Sequence, residues 1–92
     1  MLRRVLGERP SVTSVKGVTG HTLGAGGAIE AAITVLTLAR GGVPPTANLT
    51  EPGEGIEIDI VSGTARAQSP RFALSESFGF GGQNAVLVFT AV

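Results

Sequence analysis

Three residue types are missing from this 92-residue chain: cysteine, tryptophan and tyrosine. The lack of cysteine excludes disulfides, thiolate metal sites and a cysteine nucleophile of the chain's own. Charge is scarce as well. Only 15% of the residues are charged, against roughly 25% in a typical soluble domain. Seven basic and seven acidic residues cancel and form no block of like charge, so the footprint of a nucleic-acid binder is missing. No run approaches the roughly 20 consecutive apolar residues that cross a bilayer. The first ten residues have no long apolar centre and break at Gly7 and Pro10, unlike a secretory signal. The expectation is a soluble cytoplasmic protein with neither nucleic acid nor a membrane as partner.

What remains is apolar for so short a chain, with 42% hydrophobic residues and a mean hydropathy of +0.33. A folded chain of this length buries only about 60–65% of the surface its unfolded form exposes. Two explanations fit this composition: surface meant to be covered by something else, or a compact domain rich in Ala, Gly and Val.

Residues 2 to 6 read as the tail of a helix stopped by Gly7 and Pro10. Val12 to Val15 is a short β-branched run suited to a buried strand, and Lys16 to Gly27 reads as a glycine-rich loop. From about Ala25 to Arg40 the pattern is helical, ended by Gly41-Gly42 and Pro44-Pro45. The polar residues Glu30, Thr34 and Thr37 form one narrow stripe on this helix, and the rest is apolar nearly all round. Such a helix is normally buried on several sides.

Pro44 to Leu49 must be extended, because each proline forces its predecessor out of the helical region. Glu51 to Gly55 reads as a turn-rich surface loop. Ile56, Ile58 and Ile60 alternate with Glu57 and Asp59 as in a half-buried strand. Two β-like runs, Arg71 to Phe78 and Ala85 to Ala91, are joined by Gly79-Phe80-Gly81-Gly82-Gln83-Asn84, which predicts an antiparallel hairpin with a specialised turn.

Two glycine-rich loops carry candidate chemistry. In the first, His21, the only histidine, follows Lys16, the only lysine, by five residues. An imidazole exchanges protons near neutral pH and an ammonium supplies a fixed positive charge. Both precede a predicted helix N-terminus, which favours negative charge; together they suit a reaction that builds an oxyanion or enolate. A structural or solvent-exposed histidine is the plain alternative. A phosphate-cradling loop is disfavoured, since neither GxxxxGK[ST] nor a clean GxGxxG with a later acidic residue is present. In the second loop, Phe80 among glycines permits two readings. One is a hydrophobic plug in the turn; the other is a backbone N–H near a reacting atom, with the ring gating access.

Taken together the motifs resemble the end of the β-ketoacyl-acyl-carrier-protein synthases. They are Lys16-x-x-x-Gly20-His21 with Leu23-Gly24-Ala25, then Pro44-Pro45-Thr46-x-Asn48, then Gly79-Phe80-Gly81-Gly82-x-Asn84. The resemblance runs from about Leu2 to Val92 and is to the stand-alone, type II synthases, of an actinobacterial kind. It implies an α/β fold forming part of the C-terminal half of a thiolase-like fold. One long buried helix would lie against a mixed sheet ending in an antiparallel hairpin, and residues 1–92 would form a partial synthase C-terminal domain. It also implies decarboxylative condensation of malonyl groups on acyl carrier protein with acyl thioesters, by a homodimer that needs no cofactor or metal.

The family's cysteine nucleophile and first histidine belong to the portion not represented in these residues. By the resemblance, His21 hydrogen-bonds the malonyl thioester oxygen, and Lys16 holds the charge network. Glu30 pairs with that lysine. Phe80 is the gating residue whose N–H joins an oxyanion hole, and Gly79 and Gly81 let its loop swing. Two departures stand out: Ser75-Glu76-Ser77 where the family has Ser-Asn-Ser, and Gln83 where it has threonine. A glutamate there is expected to add negative charge near the site. The implication is an isolated chain that does not condense acyl groups. The alternative is a non-catalytic module or remnant that pairs with a partner carrying the first half.

Overall fold

The computed structural model describes residues 2–7, 9–51 and 53–91. They contain three α-helices, α1 (Leu2–Leu6), α2 (Lys16–Thr19) and α3 (Gly26–Arg40), with a 3-10 turn over Leu23–Ala25 leading into α3. Six strands accompany them: β1 (Ser11–Val12), β2 (Gly42–Val43), β3 (Asp59–Ile60), β4 (Arg66–Ala67), β5 (Phe72–Phe78) and β6 (Asn84–Thr90). The chain forms two compact units, residues 1–20 with 43–67 and residues 21–42 with 68–92.

The first unit is organised around Val61, which is 1% exposed. Its N–H donates to Val12 O at 2.8 Å, and its carbonyl accepts from Thr46 N at 2.8 Å. β1 and β3 pair in parallel, Ser11 with Asp59 and Val12 with Ile60, and β2 pairs with β4. The β-branched run at 12–15 does not continue as strand beyond Val12. Thr13 turns its hydroxyl to Pro44 O at 2.6 Å, and Ser14 N donates to Thr46 Oγ1. Of the alternating run 56–60, only Asp59–Ile60 joins a ladder. The expected turn at 51–55 includes Pro52, which lies outside the described residues.

Arg66 clamps this unit with a two-pronged bond to Asp59, at 2.6 and 3.0 Å, and a third bond to Ser11 Oγ at 2.9 Å. The hydrogen bond from Arg66 holds the Asp59 carboxyl below its ordinary range, and the charge attraction of the same group adds to it. A depressed folded-state value means that the contribution is complete above the unfolded carboxylate pKa and fades as pH falls through the folded value. The first unit should therefore keep constant stability from pH 7 to about pH 5 and lose this part in more acid solution. Asp59→Asn should flatten that acid limb in a pH series of amide exchange at Val61. An unchanged limb would show the pair to be energetically silent, as many exposed pairs are.

The second unit packs α3 against a regular hairpin. β5 and β6 run antiparallel in unbroken register from Phe72–Thr90 to Phe78–Asn84, as the sequence predicts. Ser75 is buried, and Ala73, Glu76 and Ser77 are half-buried. Gly41 ends α3 in the left-handed conformation at φ +69°, its N–H returning to Thr37 O at 3.0 Å.

The expectation of a long buried helix against one mixed sheet needs correction. Within α3 only Gly26 is buried, and the strands form three separate two-stranded ladders. The covered side of α3 includes its polar stripe. Thr34 and Thr37 satisfy their hydroxyls internally, donating to Glu30 O at 2.7 Å and Ile33 O at 2.9 Å, so they lie half-buried without penalty. Val35 and Leu36, in contrast, are 47% and 48% exposed. The physical reason is that the hairpin offers α3 cover on one side only. The chain exposes 6709 Å², roughly 1,700 Å² more than a compact monomer of its mass. The run Leu23–Arg40 has a mean hydropathy of 1.3, but α3 itself, at 15 residues, is only about 22 Å long against a hydrocarbon core of about 30 Å.

Candidate active site

The sequence-predicted residues divide between the units: Lys16 in the first, and His21, Glu30, Gly79, Phe80 and Gly81 in the second.

Lys16 opens α2, a single helical turn where the sequence suggests loop. Lys-Gly-Val-Thr has little helical preference of its own; neighbours build the turn. Val18 N and Thr19 N both donate to Val15 O, at 2.9 and 3.0 Å, and Asn48 Nδ2 donates to Gly17 O at 3.3 Å. Gly17 admits the 44–48 segment very closely, since a Cβ there would lie 2.6 Å from Ala47 O. Asn48 itself adopts a left-handed φ of +66°, which asparagine tolerates better than most residues. Gly17 and Asn48 thus hold the turn that carries Lys16, and Thr46 braces Ser14 N just before it. Their signal was the Pro-Pro-Thr-x-Asn motif, whose partner the sequence does not disclose.

His21 is exposed just ahead of the 3-10 turn. Its Nδ1 accepts a hydrogen bond from Leu23 N at 3.3 Å, in a turn where Leu23 takes φ +53°. A ring nitrogen that accepts carries no proton, so the neutral imidazole holds its proton on Nε2 and presents an N–H donor. The ring lies along the start of α3: a Cβ on Gly26 would be 3.8 Å from Nδ1. Glu30 follows one turn further along the helix, half-buried.

The hairpin loop lies at the same end of α3. Ser77 Oγ would be 3.7 Å from a Cβ on Gly27, which brings the end of β5 beside the first helical turn, next to His21. The loop is closed by Gly79 N donating to Gln83 O at 2.6 Å. Gly81 and Gly82 adopt φ +84° and +82°, a region that residues with a Cβ avoid. Phe80 at the tip is fully exposed. The plug reading is thereby excluded, because the ring covers nothing in this chain. Glu76 alternates with Ser75 and Ser77 and so lies on the other face of the hairpin from these serines, where it is half-buried.

Comparison with known proteins places the chain in one family. The family model described as "Beta-ketoacyl synthase, C-terminal domain" matches residues 1–50. The chain is 50% identical over 95 residues to 3-oxoacyl-[acyl-carrier-protein] synthase 2 of Vibrio harveyi, covering 99% of this chain and 23% of that protein. It is 43% identical over 83 residues to the synthase of the same name from Mycobacterium tuberculosis strain H37Rv, covering 90% of this chain and 20% of the relative. The crystal structure of a β-ketoacyl synthase from Burkholderia phymatum STM815 superposes with a TM-score of 0.94 at 42% identity, over 98% of this chain and 22% of that one. The chain belongs to the β-ketoacyl synthase family, to the C-terminal domain of that acyltransferase fold. It spans about a fifth to a quarter of the length of these relatives. The higher identity to the Vibrio protein gives no support to an actinobacterial kind.

Proposed function

We propose that the chain supplies the His21 side of a 3-oxoacyl-acyl-carrier-protein synthase site, working with a body that carries the cysteine nucleophile. The observation that carries this reading is the bond from Leu23 N to His21 Nδ1, which leaves Nε2–H as a fixed donor. Loss of carbon dioxide from a malonyl thioester sends the bond's electron pair into the thioester carbonyl, and the Nε2–H stabilises the oxyanion that forms. The enolate carbon then attacks an acyl thioester on the partner's cysteine, forming the new carbon–carbon bond and releasing the thiolate. The Phe80 N–H supports the acyl oxygen, and the glycines at 79 and 81 give its loop room to move. Lys16 and Glu30 keep the roles the resemblance gives them, a lysine that holds the charge network and a helix glutamate that belongs to it. Acyl carrier protein delivers the malonyl group, the working form is a homodimer in the cytoplasm, and no cofactor or metal takes part.

The chain contains no cysteine, so purified alone it forms no ketoacyl product. A second reading, a docking module without catalysis, is favoured by the uncovered apolar side of α3. Mixing the chain with the Vibrio harveyi synthase shortened by the matching segment separates the two. Co-elution with restored condensation supports the catalytic role; co-elution with no condensation assigns the module role. Condensation by the chain alone would refute both.

A further inference from the structure

We propose that Asn48 is a positioning residue for the condensation: its side-chain amide latches the turn that carries Lys16 and so sets where the ammonium stands. The inference rests on the role proposed above for Lys16 and adds the device that holds it. Lys16 is the only lysine of the chain, so no second ammonium stands in for it.

The lysine turn has little to hold it from within. α2 is four residues long, Lys16–Thr19, with no side-chain cap from Val15. One turn fixes several backbone dihedrals for very few hydrogen bonds, an unfavourable start to any helix. Its first N–H, that of Lys16, reaches Ser14 Oγ at 3.4 Å.

The 46–48 segment supplies the hold, on both sides of the lysine. Before it, Thr46 Oγ1 accepts from Ser14 N at 3.3 Å. After it, Asn48 Nδ2 donates to Gly17 O at 3.3 Å, one of the terminal carbonyls that a helix leaves without an internal partner. The backbones also press together there, since a Cβ on Gly17 would lie 2.6 Å from Ala47 O. The segment is itself anchored: Thr46 N donates to the carbonyl of Val61 at 2.8 Å, the fully buried residue of this unit. Every part of the latch belongs to the first unit.

The backbone of Asn48 points the same way. Its φ is +66°, a conformation that glycine adopts at least cost. Asparagine visits it because its short side chain can form a hydrogen bond, and here that bond reaches a carbonyl 31 residues earlier in the chain. Steric approach and hydrogen bond thus converge on Gly17, the residue next to the lysine.

A double-mutant cycle tests this in the chain mixed with the shortened Vibrio harveyi synthase, with ketoacyl product as the readout. Asn48→Gly keeps the left-handed backbone accessible and removes the amide. It should lower kcat by about 2- to 5-fold, the worth of one hydrogen bond of this kind, with KM for malonyl-acyl carrier protein unchanged. Asn48→Asp keeps the shape but turns an acceptor toward Gly17 O, so it should cost at least as much. In a Lys16→Ala background Asn48→Gly should add nothing, because Asn48 acts through the lysine. In the free chain Asn48→Gly should speed amide exchange at Val18 and Thr19 while Val61 stays protected, the sign that the unit is still folded. A silent Lys16→Ala would overturn the lysine's role and this proposal together. A costly Lys16→Ala beside silent Asn48 variants would overturn this proposal alone. So would an Asn48 loss that persists without the lysine, or turn amides that exchange as before. An assembly that forms without condensing leaves Lys16 no reaction to serve and refutes both.

Discussion

His21→Ala, placed in an assembly competent for condensation, lowers the rate by about 100–1,000-fold, the usual cost of one oxyanion donor. The expectation follows from the way this turn holds the ring. Leu23 N fixes Nδ1 as acceptor at 3.3 Å, so the proton on Nε2 points away from its own backbone and toward whatever binds at the start of α3. Alanine removes the donor and also the acceptor of Leu23 N, but it adds no strain at position 21, since Leu23 and not His21 carries the left-handed φ in this turn. Association with a synthase body should be unaffected, which separates catalysis from docking. His21→Asn, which keeps an N–H donor of different reach, should recover part of the loss. The assay is ketoacyl product formed at saturating malonyl-acyl carrier protein. A rate unchanged by alanine would remove His21 from the reaction.

Gly17→Ala carries the largest expected structural effect. The added methyl would sit 2.6 Å from Ala47 O and 3.1 Å from Ala47 Cβ. The nearest atom is backbone, so the strain cannot be relieved by turning a side chain. Overpacking of this kind costs about 1–3 kcal/mol, and the Asn48 bond to Gly17 O is lost as α2 moves aside. Amide exchange at Val18 and Thr19, whose N–H groups close the turn on Val15 O, should speed by about 5- to 150-fold. Gly20→Ala is the instructive contrast. Nothing lies within 4 Å of a Cβ there, but φ is +74°, so its cost is conformational, about 1–2 kcal/mol, and falls on the residue just before His21. Equal exchange in wild type and Gly17→Ala would mean that the 44–48 segment does not clamp the lysine turn.

The parts of the fold legible in the sequence are those set by local chemistry. The span of α3 follows from its apolar pattern and the Gly41 stop, and the hairpin from two β-rich runs around a glycine turn. The lysine turn was not legible, because its helical form depends on Thr46 and Asn48, some thirty residues away. The strand at 12–15 was overestimated for a related reason: Thr13 and Ser14 spend their polar groups on the proline segment. The side of α3 that is covered could not be read either. Thr34 and Thr37 look like a wet stripe, yet each hydroxyl bonds the carbonyl one turn back and so tolerates cover. The candidate site was readable as a set of residue types, whereas the tautomer of His21 and the approach of Ser77 to Gly27 needed three dimensions.

A chimaera tests the central claim most directly: the Vibrio harveyi synthase with its matching segment replaced by these 92 residues, assayed for condensation of malonyl-acyl carrier protein with an acyl thioester. Covalent joining removes the question of association, so the readout depends on whether His21, Lys16 and the Phe80 loop take up working positions. The account predicts a folded chimaera with activity within about tenfold of its parent, abolished by His21→Ala to the extent of one oxyanion donor. A folded chimaera with no condensation would contradict it and leave this chain a docking module built on the synthase fold.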